Sequence, residues 1–347
     1  MNSRELVIHA LLGAPIERYP CGPLAVHCTA RLAGVTLKDY TLDAKTLASC
    51  VVQYYEQFRP DAVWLSADTW VTAQAMGAHV AFAGDEQPMG GVGDPLVKTP
   101  ADIEKIPVVE SRIQGRFPLM CEALSIVKRQ LGRDVFVVGC FDQSPFSLAA
   151  ALMGVEALMI KAVDEPAFVD ALLERCTEYA VAYALALANA GADMLSTGDS
   201  VAGLIGRDMY RRIAMPAEQR AFEDIRSGCD ALLSLHICGD TSHILKDMAQ
   251  TGCDVLEIDS KVAMIEAMRV VGPELGLWGN LNPMDLLERT PQEVERLAVD
   301  LLETVKQCGR TRFVLSSGCT LAPDTPAENI RALIGAAVNS GKRMAAG

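Results

Sequence analysis

Residues 231–259 read ALLSLHICGDTSHILKDMAQTGCDVLEID, and this stretch decides the fold class of the chain. It holds two apolar runs, 231–240 and 254–259, in which apolar residues follow one another instead of alternating with polar ones. Continuous apolar runs are typical of parallel strands that are covered on both faces. Between the runs, 242–252 has the spacing of an amphipathic helix. A strand, a helix and a second strand predict the βαβ unit of α/β proteins.

The same alternation of strand-like and helix-like segments extends over nearly the whole chain, without a linker or a break in composition. About eight strands in this length predict a (β/α)8 TIM barrel of one domain, residues 1–347, with residues 1–18 as an N-terminal helical extension. A doubly wound open sheet has the same periodicity and stays the alternative. Further strands are predicted at AVWLSAD (62–68), DVFVVGCFD (134–142), DMLSTGD (193–199), LGLWGN (275–280) and RFVLSSGC (312–319), with weaker ones near 21–26 and 79–83.

Composition and charge narrow the class of protein. Half of the residues are apolar and 22% are charged, as in globular proteins. The net charge of −13 repels phosphate backbones, so nucleic acid is not expected as a partner. The longest uncharged apolar segment, 179–190, is shorter than the ~20 residues of a membrane span, and no secretory signal is found. Eleven cysteines without a framework pattern fit reduced thiols, and we expect a cytoplasmic protein.

Polar residues mark the carboxyl ends of the predicted strands. In a barrel these ends share one face, where barrel enzymes build their active sites. We therefore expect the functional site at this face, although polar residues also resume wherever a strand ends. The residues in question are Asp68, Asp142, Asp199, Cys238, Asp240, Asp259, Asn280 and Cys319.

Three of the residues near strand ends form a candidate metal site. His236 and Cys238 are two positions apart, so on a strand both side chains point to the same face. Cys319 ends another predicted strand after Gly318 and reaches the same rim. One imidazole and two thiolates favour zinc, and three protein ligands leave the fourth position open, as in catalytic sites. A core histidine beside core cysteines is the alternative interpretation.

Four segments around these residues carry a resemblance to a known family. They are LHICGDTSHIL (235–245), DVLEIDSKV (254–262), LWGNLNPMDLLERTPQEV (277–294) and SSGCTLAPDTPAENIRALI (316–334). In them the chain resembles the uroporphyrinogen decarboxylase superfamily, and within it the corrinoid-dependent methyltransferases such as methylcobamide:coenzyme M methyltransferases. The resemblance implies the (β/α)8 barrel and a zinc ion bound by His236, Cys238 and Cys319.

The chain departs from the decarboxylases of this superfamily near its N-terminus. Those enzymes carry an arginine-rich motif resembling RQAGRY, which grips a substrate with eight carboxylates. The corresponding segment here reads APIERYPCGPLAV (14–26) and contains one arginine, Arg18. Since carboxylates are best held by several guanidinium groups, decarboxylation of that substrate is not expected.

The resemblance implies transfer of a methyl group between a corrinoid-binding protein and a small molecule. The favoured direction runs from methyl-Co(III) to a zinc-activated thiol, and demethylation of a methyl ether or methylamine is the alternative. A non-catalytic zinc-binding barrel is a third interpretation, and the sequence leaves the oligomeric state open. Asp199, Asp259, Asn280 and His27 are predicted to contact the substrate or orient the ligands, although helix capping would also explain the first three.

Overall fold

A computed structural model describes residues 1–91, 93–110 and 114–345. Seven of its strands form one curled parallel sheet, in which each strand pairs with the next one along the chain. These seven coincide with the seven strands predicted from continuous apolar runs, which are thereby confirmed. In chain order the strands are β1 (Ala62–Leu65), β2 (Val80–Ala81), β3 (Met89–Gly90), β4 (Phe136–Gln143), β5 (Met194–Gly198), β6 (Leu232–His236), β7 (Val255–Glu257), β8 (Gly276–Leu281) and β9 (Phe313–Ser317), and the sheet omits β2 and β3.

The weak prediction of a barrel strand at 79–83 is wrong. Within this run only β2 is a strand, and it pairs antiparallel with β3 in a separate hairpin. Gly77 and Gly84 flank the run and both have positive φ angles, so the chain turns sharply on either side. These turns direct the segment into the hairpin with β3 and away from the sheet.

The other weak prediction, at 21–26, gives a single bridge instead of a strand. Cys21 makes one parallel bridge to Leu315 of β9, and its carbonyl oxygen accepts a hydrogen bond from the Asp61 N–H just before β1. Pro20 and Pro23 have no N–H to donate, which prevents a continuous ladder. The fold is therefore TIM-barrel-like with seven strands in its sheet. The predicted eighth strand is not found in the described part of the chain.

Helices fill most of the connections between these strands. The helix that begins at Pro291 starts with a capping box, in which Thr290 and Glu293 bond to each other's backbone N–H groups. The helix predicted at 242–252 is shorter than expected and forms only α13. The helices are α1 (Ser3–Leu12), α2 (His27–Leu32), α3 (Leu37–Leu42), α4 (Ala44–Phe58), α5 (Val71–Ala75), α6 (Pro100–Ile103), α7 (Phe117–Leu131), α8 (Pro145–Met153), α9 (Val155–Asp164), α10 (Pro166–Ala190), α11 (Arg207–Met209), α12 (Met215–Gly228), α13 (Leu245–Met248), α14 (Met264–Val271), α15 (Pro283–Glu288), α16 (Pro291–Gln307) and α17 (Ala327–Ala345).

The interior of the curled sheet is packed at one end. Trp64 and Trp278 meet edge to face with ring centroids 5.8 Å apart, in a cluster that also includes Val7 and Leu11 of α1. Leu11 lies against Gly276, the first residue of β8, so α1 covers the amino ends of the strands. The carboxyl ends are thereby left as the face at which a cavity can open.

No single helix in the described residues is long and apolar enough to cross a membrane. The bent pair of α8 and α9 passes that test only when the two helices are combined, and most side chains of α8 are buried in the core.

Candidate metal centre

Two strand ends bring one imidazole and two thiols together. His236 is the last residue of β6, Cys238 follows two positions later, and Cys319 lies two positions beyond the end of β9. The Nε2 atom of His236 is 3.0 Å from the Sγ atom of Cys238, which is 3.9 Å from the Sγ atom of Cys319. All three ligand atoms lie within 4.8 Å of one another. The structure thus brings together the three side chains that were selected from the sequence.

The distance between the two sulfur atoms fits a shared metal ion and not a disulfide. A disulfide would require an S–S distance of ~2.05 Å. Two thiolates bound to one tetrahedral zinc ion, each at ~2.3 Å, lie ~3.8 Å apart, close to the observed 3.9 Å. No fourth side chain joins this group among the described residues. The donor set therefore fits a zinc ion with one coordination position open to water or substrate.

The second ring nitrogen of His236 fixes the direction in which the imidazole faces. Its Nδ1 atom lies 3.0 Å from the backbone carbonyl oxygen of Glu257, so Nδ1–H donates and Nε2 points toward the sulfur atoms. The Glu257 carboxylate accepts hydrogen bonds from the hydroxyls of Ser196 and Ser234, at 2.7 and 2.5 Å. These bonds tie β7 to β5 and β6, and the imidazole is held ready to bind a metal.

The pKa values of the two thiols are shifted in opposite directions. Contact with Cys319 lowers the pKa of Cys238 to about 7, and the Ser200 hydroxyl, which donates to Cys238 Sγ at 3.2 Å, acts in the same direction. Contact with Cys238 raises the pKa of Cys319 to about 12, and burial adds to the rise. Burial lowers the pKa of His236, but Cys319 and Glu257 together outweigh it, and that pKa rises to about 9. One thiolate is thus present near neutral pH, and a metal ion would displace the protons on His236 Nε2 and Cys319.

Asp259 and Asn280, predicted to contact the substrate or orient the ligands, make hydrogen bonds to the backbone around the ligands. The Asp259 carboxylate accepts hydrogen bonds from the N–H groups of Gly239 and Lys261, both at 2.8 Å. The Asn280 amide donates to the carbonyl oxygens of Asp259 and Val262. With these bonds made, neither side chain lines the cavity described below. These bonds can orient the ligands, and contact of either residue with substrate stays a prediction.

Asp199 also lies behind the ligands and outside the cavity. Its carboxylate accepts hydrogen bonds from the Ser147 N–H and hydroxyl, and its backbone N–H donates to the carbonyl oxygen of His236 at 2.8 Å. Burial raises the pKa of Asp199 to about 6 and raises that of the neighbouring Glu218 as well. The Tyr210 hydroxyl donates to Glu218 at 2.6 Å. Asp199 thus belongs to a buried carboxyl pair that supports β5 and β6, and its contact with substrate stays a prediction.

A cavity of about 240 Å³ opens beside the three ligands. His27, the first residue of α2, lines it and donates from Nε2 to the Ala67 carbonyl oxygen at 2.8 Å. Burial lowers the pKa of His27, which favours the neutral ring. Of the four residues predicted to contact substrate, His27 is thus the one placed at the cavity.

Several cavity residues were not selected from the sequence as site residues. Trp64, Trp70, Asp142 and Glu257 all line the cavity. Asp142 had been noted as a strand end, and Trp64 lies within a predicted strand whose alternate residues face the barrel interior. The remaining two carry no local signal, because Trp70 lies in a connection and Glu257 sits in an apolar run.

The loop that carries Cys319 depends on the glycine before it. A Cβ atom at Gly318 would lie 2.4 Å from the backbone nitrogen of Ser260, so an alanine forces the loop to shift. We expect Gly318→Ala to weaken zinc binding at least about tenfold, since ligands misplaced by ~0.5 Å bind poorly. Competition with a chromophoric chelator measures this. Gly335→Ala in α17, where a Cβ meets nothing within 4 Å, is the matched control and should leave zinc affinity unchanged. Equal affinities of the two variants would contradict the assignment of Cys319.

Comparison with known proteins identifies relatives along almost the whole chain. Methylcobamide:CoM methyltransferase MtaA of Methanosarcina barkeri is 28% identical, over 95% of this chain and 96% of the relative. MtbA of Methanosarcina acetivorans, with the same activity in its name, is 28% identical over 97% of both chains. A uroporphyrinogen decarboxylase of Roseiflexus sp. is 30% identical over 82% of both.

A solved structure and a family model agree with these relatives. The structure of a methyltransferase from Methanosarcina mazei superposes with a TM-score of 0.88 at 27% identity, covering 98% of this chain and 99% of that one. Residues 2–339 match the model of the uroporphyrinogen decarboxylase (URO-D) family. The chain therefore belongs to the uroporphyrinogen decarboxylase (URO-D) family.

Proposed function

We propose that this protein transfers a methyl group from a methylated corrinoid, carried by a partner protein, to the sulfur atom of a small thiol. A zinc ion held by His236, Cys238 and Cys319 would activate that thiol. The observation that carries the proposal is the one-imidazole, two-thiol group with sulfur atoms 3.9 Å apart, beside a cavity at the carboxyl ends of the strands. Relatives named methylcobamide:CoM methyltransferases support the same kind of reaction.

The residues of the site have different roles in this reaction. Zinc, when bound, supplies an open coordination position that lowers the pKa of a thiol. His236 is kept in orientation by the Glu257 carbonyl oxygen, and the two cysteine thiolates add negative charge, which keeps the bound sulfur nucleophilic. The sulfur attacks the methyl carbon as the Co–C bond breaks. The electron pair of that bond stays on cobalt, which passes from Co(III) to Co(I), while the thiol proton leaves to solvent.

Membership of the URO-D family does not by itself favour decarboxylation by this protein. Arg18, the one arginine of the N-terminal segment, is bound to Asp61 through two contacts of 2.7 Å and does not line the cavity. Among the described residues that line the cavity there is no arginine or lysine. A substrate with eight carboxylates would find no guanidinium partner in this lining.

We also propose a cytoplasmic location. The eleven cysteines are all free, and this fits a compartment that keeps thiols reduced.

An assay with methylcobalamin tests the proposed function. We expect the purified protein to contain about one zinc ion per chain and to demethylate methylcobalamin in the presence of a small thiol. Formation of cob(I)alamin is followed anaerobically by absorbance, and protein stripped of zinc by a chelator is the control. Protein without zinc, or a rate that is unchanged after zinc removal, would contradict the proposal.

A further inference from the structure

The cavity beside the ligands is acidic. Asp68, Asp142 and Glu257 line it, and the described lining residues include no lysine or arginine. The nearest guanidinium belongs to Arg116, which is fully engaged elsewhere. It donates to the Asp68 carboxylate at 3.0 Å, to the Gln74 side chain at 2.6 Å and to a backbone carbonyl oxygen. Arg116 therefore neutralises Asp68, and no lysine or arginine among the described lining residues is left to pair with a ligand anion.

Asp142 has an unusual backbone conformation and a carboxylate that is only partly bonded. Its φ angle is 64°, and a register shift between Cys140 and Gln143 interrupts the pairing of β4 with β5 at this point. Such irregularities commonly re-aim a side chain next to a site. Oδ2 accepts hydrogen bonds from the Thr72 N–H and hydroxyl, at 2.9 and 3.1 Å. Oδ1 is buried and has no partner in the described part of the chain.

The electrostatic surroundings of Asp142 shift the pKa of its carboxyl group. Burial and the neighbouring Asp68 charge raise the pKa of Asp142 to about 8. Such a carboxyl is mostly protonated at neutral pH, and a ligand cation beside it would favour the carboxylate form, whereas a ligand anion would not. An anionic ligand would have to lose its hydration without gaining a lysine or arginine partner in the described lining.

Two indole rings form part of the remaining walls. Trp64 and Trp70 both line the cavity, and the buried Nε1 atom of Trp64 has no partner among the described residues. Indole faces attract cations, and an indole N–H donates to an uncharged oxygen. Aromatic walls and an unpaired carboxylate oxygen together favour a small ligand with an uncharged or cationic polar end.

We propose that the acceptor is a short thiol without a negative charge, whose hydroxyl or ammonium end contacts Asp142. This rests on the proposed function and narrows it. It also predicts that coenzyme M, the sulfonate-bearing thiol in the names of the relatives, is not the preferred acceptor of this protein.

Three thiols of equal chain length test the proposal with the zinc-loaded protein. They are 2-mercaptoethanol, cysteamine and coenzyme M, which end in a hydroxyl, an ammonium and a sulfonate. We expect kcat/KM with methylcobalamin to be at least about tenfold higher for the first two than for coenzyme M, because an unpaired buried charge weakens binding. Calorimetric titration of each thiol should give the same order of dissociation constants. Coenzyme M as the best ligand and best acceptor would overturn the proposal.

The two readouts separate this proposal from the proposed function. Absence of turnover with every thiol would contradict methyl transfer, while the order of dissociation constants would still decide the charge preference. The Asp142→Asn variant should reduce the affinity for cysteamine at least about fivefold and leave that for 2-mercaptoethanol nearly unchanged. Asp300→Asn on the exposed side of α16 is the matched control. An unchanged cysteamine affinity in Asp142→Asn would remove Asp142 from the proposal.

Discussion

Cys319→Ala is expected to abolish stable zinc binding, whereas Cys308→Ala leaves it unchanged. Cys319 supplies one of three ligand atoms that lie within 4.8 Å of one another, while Cys308 is exposed at the end of α16 and belongs to no such group. Losing even an outer partner of a ligand costs about 10–100-fold in metal affinity, so losing a ligand should cost more than about 100-fold.

Zinc content after dialysis against a chelator, measured by mass spectrometry, gives the result for both variants. Circular dichroism of each variant shows whether the fold is retained, so that loss of zinc is not confused with unfolding. Equal zinc content in the two variants would mean that the wrong cysteine has been chosen. Retention of zinc by Cys319→Ala would remove this residue from the metal centre.

Arg116→Ala is expected to lower the free energy of unfolding by about 3–5 kcal/mol, the usual cost of removing one partner of a buried ion pair. Arg116 and Asp68 are both nearly inaccessible, with 7% and 3% of their side chains exposed. Removal of the guanidinium leaves the Asp68 carboxylate buried without its partner and next to Asp142. Urea denaturation followed by circular dichroism measures the change.

Two further variants show whether the lost charge pair is the cause. Arg296→Ala removes an exposed arginine of α16 and should change the free energy of unfolding by less than about 0.5 kcal/mol. The double variant Asp68→Asn/Arg116→Met removes both charges and should recover most of the stability lost in Arg116→Ala. A loss that persists in the double variant would point to packing in place of charge.

The strands of the sheet could be predicted because burial on both faces leaves a local signature in the sequence. β6 and β9 are continuous apolar runs, and the strand period places His236 and Cys238 on one face. The pairing of His236 with Cys238 could therefore be predicted from short-range geometry. The prediction that Cys319 lies beside them needed only the rule that parallel strands end at the same rim.

The cavity could not be predicted in the same way. Beyond its last paired residue a strand loses its alternation, so a polar residue there can face the cavity or the surrounding backbone. Asp259 and Asn280 face backbone groups supplied by neighbouring turns, and Asp199 faces Ser147 across 52 residues of sequence. Arg116 reaches Asp68 across 48 residues. Such partners depend on tertiary packing, and no local pattern encodes them.

The segment at 20–24, which contains Cys21 and lies between β9 and β1, has a consequence for the order of folding. The Leu24 N–H donates to the Ser317 hydroxyl across 293 residues, and the Trp278 indole donates to the Gly22 carbonyl oxygen across 256 residues. On a ribosome, these contacts must wait until nearly the whole chain has been made. Until then the sheet stays open where the segment at 20–24 would meet β9, and contacts so distant in sequence close slowly. An uncovered strand edge pairs readily with other chains, so the nascent protein is most vulnerable to aggregation just before β9 is synthesised.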